Sequence, residues 1–89
     1  MKTIGLIGGI SWQSTLDYYR IINEETSKRT GGKHAAKILI DSVDIGEGDD
    51  FISRQDFEGL TAMIVSSARR LETAGAQCLL IGANTMHFI

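Results

Sequence analysis

The stretch Lys2-Thr3-Ile4-Gly5-Leu6-Ile7-Gly8-Gly9-Ile10-Ser11 decides the fold. Its apolar run from Lys2 to Ile7 stops at Gly8-Gly9, the pattern of a buried strand that turns tightly into the next element. The next segment has a helical period. Leu16, Tyr19, Ile22 and Thr26 recur at spacings of three and four, Ser14 to Asp17 reads as a capping box, and Gly31-Gly32 closes the segment. The opening unit is therefore strand, glycine turn, helix.

Two further strands are expected. Ala36 to Ile40 is a second apolar run, ended by Asp41, with Ser42-Val43-Asp44 continuing it or starting its loop. Gly46-Glu47-Gly48-Asp49-Asp50 reads as a flexible acidic connection. Asp56 is placed to cap a long helix in which Leu60, Ile64, Ala68 and Leu71 share a face, and Gly75 sits where a left-handed residue ends such a helix. Gln77 to Ile81 forms the third strand. Alternating strands and helices with short joins predict an α/β fold of three layers, a parallel sheet of three to four strands with right-handed crossover helices. Residues 1–89 read as a single lobe without internal repeat, low-complexity tract or linker. After His87 a further helix is due, but Phe88 and Ile89 are fewer residues than one turn requires. The expectation is a truncated lobe, or one completed by something else.

Composition limits the classes of function. A chain of 89 residues can build only a modest core, and 43% hydrophobic with 22% charged residues is ordinary for a soluble globular domain. A net charge of -2 favours neither nucleic acid nor an anionic membrane. No apolar run approaches the roughly 20 residues that span a bilayer, and the N-terminus lacks a signal-peptide cleavage region, so the expected compartment is the cytoplasm. Cys78 is a single cysteine and excludes an internal disulfide. His34, His87, Cys78 and scattered carboxylates show no metal-ligand spacing, and no metal is expected.

Ligands of open α/β sheets bind beyond the carboxyl ends of the strands. Two stretches fall there. The first is Gly8-Gly9-Ile10-Ser11, which lacks the G-x-G-x-x-G order of a dinucleotide loop and any Walker lysine, but offers backbone N–H groups and a hydroxyl beside a helix N-terminus, suited to a carboxylate. For Gly5 the simplest reading is a tight turn from strand into helix. The second stretch is Gly82-Ala83-Asn84-Thr85-Met86-His87, after Cys78-Leu79-Leu80-Ile81. Asn84 and Thr85 supply donors and acceptors that can fix a small amino or carboxyl group, or cap a following helix. His87 can act as acid or base but has no identifiable partner. Cys78, inside a strand, reads as a small buried hydrophobe, and Trp12 either packs, lines the site or forms an interface. Glu47, Asp49 and Asp50 lack the order of a calcium loop and read as solvated surface. Tyr18, Tyr19 and Arg20 read as helix surface and packing.

Four motifs in order, Met1 to Trp12, Tyr18-Tyr19-Arg20-Ile21-Ile22-Asn23-Glu24, Ser42-Val43-Asp44 and Asn84-Thr85-Met86-His87, resemble the aspartate/glutamate racemase family over the whole chain. The resemblance corresponds to the N-terminal one of two facing α/β lobes. It implies amino-acid racemisation without pyridoxal phosphate or another cofactor, with one base taking the Cα proton from one face while a second protonates the other. In that family the first base, usually a cysteine thiolate and sometimes a threonine, stands immediately before the Asn-Thr pair. Here that place is Ala83, whose methyl group neither accepts nor donates a proton. Ile10 stands where methionine is common, a volume-conserving change. The resemblance further implies Gly9, Ile10, Ser11, Asn84 and Thr85 as substrate-binding residues, a small amino-acid substrate, and a homo-oligomer or second lobe as partner.

Overall fold

The computed structural model describes residues 2–82. Among the described residues the chain order is β1 (Ile4–Gly8), α1 (Trp12–Arg29), β2 (Ile38–Ser42), α2 (Ile45–Ser53), α3 (Phe57–Thr73) and β3 (Cys78–Ile81). The sheet is parallel with order β2-β1-β3, so the first strand is central and both neighbours arrive later in the chain. The connections from β1 to β2 and from β2 over to β3 step across the sheet in opposite directions. Right-handed crossovers then place their helices on opposite faces, which makes the three layers.

Side-chain alternation along β1 agrees with this arrangement. A Cβ on Gly5 would lie 2.8 Å from Ala76 Cβ and 3.2 Å from Leu71 Cβ, at the α3 side. Three residues on, a Cβ at Gly8 would lie 2.8 Å from both Cγ2 and Oγ1 of Thr15, at the α1 side. Gly5 therefore permits close packing in mid-strand and is not a turn residue. On the α3 side Ile7, Ile10, Leu60, Ile64 and Leu71 form the buried core, with Leu39, Val43, Phe51, Met63 and Ile81 packed against it. Burying Leu60 or Leu71 stabilises the fold by about 1.5–3 kcal/mol each. On the α1 side one helix must cover three strands, and Ile40 and Leu80 stay exposed.

Several sequence expectations hold. Gly31, Gly32 and Gly75 have φ of +63°, +80° and +110°, as helix-ending glycines should. The Asp56 carboxylate accepts from Gly59 N–H at 2.9 Å and caps α3. Others are corrected. Ser14 and Asp17 are inside α1, whose N-cap is Ser11 with no side-chain capping bond. Leu16 and Tyr19 point to solvent, at 60% and 49% exposure, while the inner face carries Thr15, with Tyr18, Ile22 and Thr26 half-buried. Gly8 leaves room for a small branched side chain, so threonine takes the place expected of a larger one. Arg20 lies on the surface, paired with Glu24 at 3.2 Å and Asp17 at 3.6 Å. Gly46 to Asp50 is helical and belongs to α2. The Asp44 carboxylate accepts from Gly46 N–H at 2.9 Å, Glu47 lies in the first turn where the helix dipole favours it, and buried Gly48 sits against Met63. Cys78 is exposed, because β3 has a neighbour on one side only among the described residues.

One ion pair ties the sheet to its helix. Arg70 donates to both carboxylate oxygens of Asp41, from Nε at 3.1 Å and from the guanidinium terminus at 2.7 Å. These bonds hold the Asp41 carboxyl below the usual carboxylate range against partial burial, and the nearby Ser67 hydroxyl adds a smaller effect. That hydroxyl is fully buried and makes no hydrogen bond of ordinary geometry. Because the folded-state value is depressed, the pair stabilises the fold above the unfolded aspartate value of about 3.9, and the contribution disappears as pH falls through the depressed value. Arg70→Gln should lower the urea midpoint near neutral pH, and the gap to the wild type should be smaller at an acidic pH where Asp41 is protonated in the folded state too. A gap of equal size at both pH values would show that Arg70 acts through packing alone.

Candidate functional site

The three carboxyl ends come together at one edge of the sheet. Gly8 is in register with Ser42, and Ile7 with Ile81. Just beyond the strands, Val43 N–H donates to the Gly8 carbonyl at 2.8 Å and Gly82 N–H to the Ile7 carbonyl at 2.9 Å. The segments leaving β1, β2 and β3 thus start side by side. The strand order reverses at β1, with β2 on one side and β3 on the other, and such a switch point is where open α/β sheets form a ligand crevice. Gly9 to Ser11 lies on one side of it and Gly82 on the other. Ala83, Asn84, Thr85 and His87 lie outside the described residues.

Gly9 has φ of +87°, a region that L side chains rarely adopt. A Cβ there would run into the Val43 carbonyl oxygen and approach Ser42 Oγ to 2.6 Å and Val43 N to 2.8 Å. The first loop is therefore pressed against the end of β2. The expectation of free backbone N–H groups in this loop is corrected at Gly9, whose buried N–H donates to Thr15 Oγ1 at 3.0 Å. Ile10 is only 5% exposed and its side chain belongs to the core, so it can offer a ligand its backbone alone. Ser11 is half-buried, with Oγ 3.1 Å from Ser14 Oγ. The first helical N–H groups have no partner within the helix, and the first turn of α1 carries no acidic residue to offset the positive end of its dipole. An anion is the ligand this end of the helix favours.

Tyr18 and Thr15 were not singled out as site residues by sequence reasoning. Tyr18 borders the β3 end, since a Cβ on Gly82 would lie 3.6 Å from Tyr18 Cδ2. With Ser14, Asp17 and Ile21 it lines a shallow hollow of about 260 Å³ adjoining the crevice. The spacing Ser11-x-x-x-Thr15 is the available signal for Thr15, because a threonine hydroxyl reaches the carbonyl four residues back. Trp12 is 58% exposed and does not pack into the core. A larger hollow of about 380 Å³ is formed by α2 and α3, with Glu47, Phe51, Met63 and Arg70 among its walls, and touches none of Gly9, Ile10 or Ser11.

The Asp/Glu/hydantoin racemase family profile matches residues 7–89. A crystal structure from Yersinia pestis assigned to the Asp/Glu racemases superposes with a TM-score of 0.95 at 41% identity, over 99% of this chain and 38% of that one. An aspartate racemase homologue from Pyrococcus horikoshii OT3 superposes with a TM-score of 0.81 at 35% identity, again over 99% of this chain and 38% of that one. The chain therefore spans well under half the length of these two structures.

The close approach at Gly9 can be tested by substitution. Gly9→Ala should cost more than the ~1–3 kcal/mol of a strained backbone conformation, because its methyl group also meets the Val43 backbone. Gly31→Ala, at φ +63° with nothing within 4 Å, should show the backbone cost alone. Equal shifts of the denaturation midpoint for the two variants would contradict the packing of the loop against β2.

Proposed function

The chain belongs to the Asp/Glu/hydantoin racemase family, and from that premise we propose that it is one lobe of an amino-acid racemase working by two-base proton transfer at Cα, without pyridoxal phosphate. The observation that carries this reading is the convergence at the switch point. Gly8 to Ser11, Ser42 to Val43 and Gly82 meet at one sheet edge, beside a helix N-terminus that favours a carboxylate. In this reading Gly9 shapes the loop, Ile10 and Ser11 receive the substrate carboxylate, and Asn84 and Thr85, beyond Gly82, fix the amino acid from the other side.

The reaction needs a base on each face of Cα, because the proton removed from one side must be replaced from the other. Ala83 stands where the family resemblance puts the first base, and an alanine methyl cannot exchange a proton. Cys78 is no substitute, since it lies on β3 near the opposite end from Gly82. The second base belongs to a facing lobe, in keeping with the 38% coverage of the longer racemase structures. The partner is such a lobe or another copy of the chain. The side of β3 without a neighbouring strand among the described residues, and the 42% exposure of both Leu79 and Leu80, support association. No helix among the described residues is long and apolar enough to cross a membrane. The cytoplasm is the compartment we assign.

Binding without turnover is the second reading, favoured by Ala83 beside otherwise suitable binding groups. Loss of one acid or base group costs a two-base enzyme ~10²–10⁴-fold in rate. The isolated chain should therefore give no steady conversion of L-aspartate to D-aspartate, and such conversion by purified protein would refute its inactivity. Calorimetry with both enantiomers of aspartate and glutamate should show heat of binding for at least one. Silence with all four at millimolar concentration would count against an amino-acid site.

A further inference from the structure

Thr15 is the most buried residue of α1, at 9% exposure, although it is polar. Its hydroxyl accepts from Gly9 N–H at 3.0 Å and donates to the Ser11 carbonyl at 3.3 Å. Its own backbone N–H donates to that same carbonyl at 3.1 Å. A threonine that bonds the carbonyl four residues back is common in helices. Simultaneous acceptance from an amide six residues back is not part of that habit, and it closes the Gly9-to-Ser11 turn from inside. Gly8 makes the contact possible, since a Cβ there would occupy the space of the Thr15 side chain.

We propose that Thr15 is a positioning residue for the carboxylate-binding loop. It takes the Gly9 amide out of play and fixes the Ser11 carbonyl, while burial of the Ile10 side chain pins the residue between them. The groups left for a ligand are the Ile10 and Ser11 amides and the first amides of α1, held in one arrangement before the ligand arrives. A preorganised loop binds more tightly because less ordering accompanies binding. Thr15 itself need not touch the substrate. The inference rests on the amino-acid reading of this loop for the ligand's identity, but not for the hydrogen bonds.

Amide exchange and ligand titration, followed by NMR on the intact chain, separate the two. In the unaltered protein the Gly9 amide should exchange at least about tenfold more slowly than those of Ile10 and Ser11; comparable rates would overturn the proposal without any variant. Thr15→Val keeps the shape and removes the hydroxyl. It should speed Gly9 exchange relative to Leu6, which reports on the strand core, and weaken L-aspartate binding by about fivefold to tenfold. Thr15→Ser keeps the hydroxyl and should restore both. Faster Gly9 exchange with unchanged aspartate affinity would make Thr15 merely structural and overturn its positioning role. If the unaltered chain binds neither enantiomer of aspartate or glutamate, the amino-acid reading falls, while the Gly9 comparison still upholds or overturns the hold of Thr15 on the turn.

Discussion

Two absent side chains on β1 determine how near the outer layers come to the sheet. At Gly5 the α3 layer moves in until Leu71 and Ala76 fill the space a Cβ would need, and at Gly8 the α1 layer does the same with Thr15. A central strand in a parallel sheet is normally a continuous run of large apolar residues. Here the alternation of glycine with Leu6 and Ile7 gives a strand that is buried, yet thin at two points on opposite faces. The second point matters for function, because only a closely packed α1 lets the Thr15 hydroxyl reach the amide of Gly9. Packing energetics and loop geometry meet in that one contact.

The end of β2 supplies the other wall. Val43 is hydrogen-bonded to Gly8 and crowds Gly9, and two residues earlier Asp41 is fastened to Arg70 of α3. The ion pair is largely exposed on the arginine side, so its worth in stability is modest. Its position lets it fix where β2 ends relative to α3, and hence where the backbone stands that confines the first loop. A surface pair of this sort acts on geometry more than on folding energy.

Legibility in the sequence followed the range of the interactions involved. The β1 strand, the Asp56 cap and the glycine that ends α3 rest on local rules, and each is found where it was expected. The α2 helix was hidden because Gly46, Gly48, Asp49 and Asp50 are poor helix formers. A cap from Asp44 and packing of Gly48 and Phe51 against α3 outweigh that, and such contacts have no sequence signature. The inner face of α1 was displaced by a residue for a related reason. Leu16 and Tyr19 carry the apolar signal, yet the space above Gly8 admits only Thr15. At the candidate site the turn and its glycines could be read directly. The fate of the Gly9 amide could not, because it depends on a side chain from the following helix.

The central place of β1 also has a bearing on assembly of the chain as it is made. The central strand β1 needs two neighbours that are both synthesised after it, β2 after an intervening helix and β3 only after two more. Contacts between residues so far apart in sequence carry a loop-closure cost before they give anything back. The unit β1-α1-β2 has the shorter closure and can gather first, leaving one backbone edge of β1 unpaired until Cys78 to Ile81 has emerged. Nascent chains shorter than that expose a strand edge where partner strands of other chains can add, so this order of synthesis ties soluble production of the lobe to prompt docking of β3.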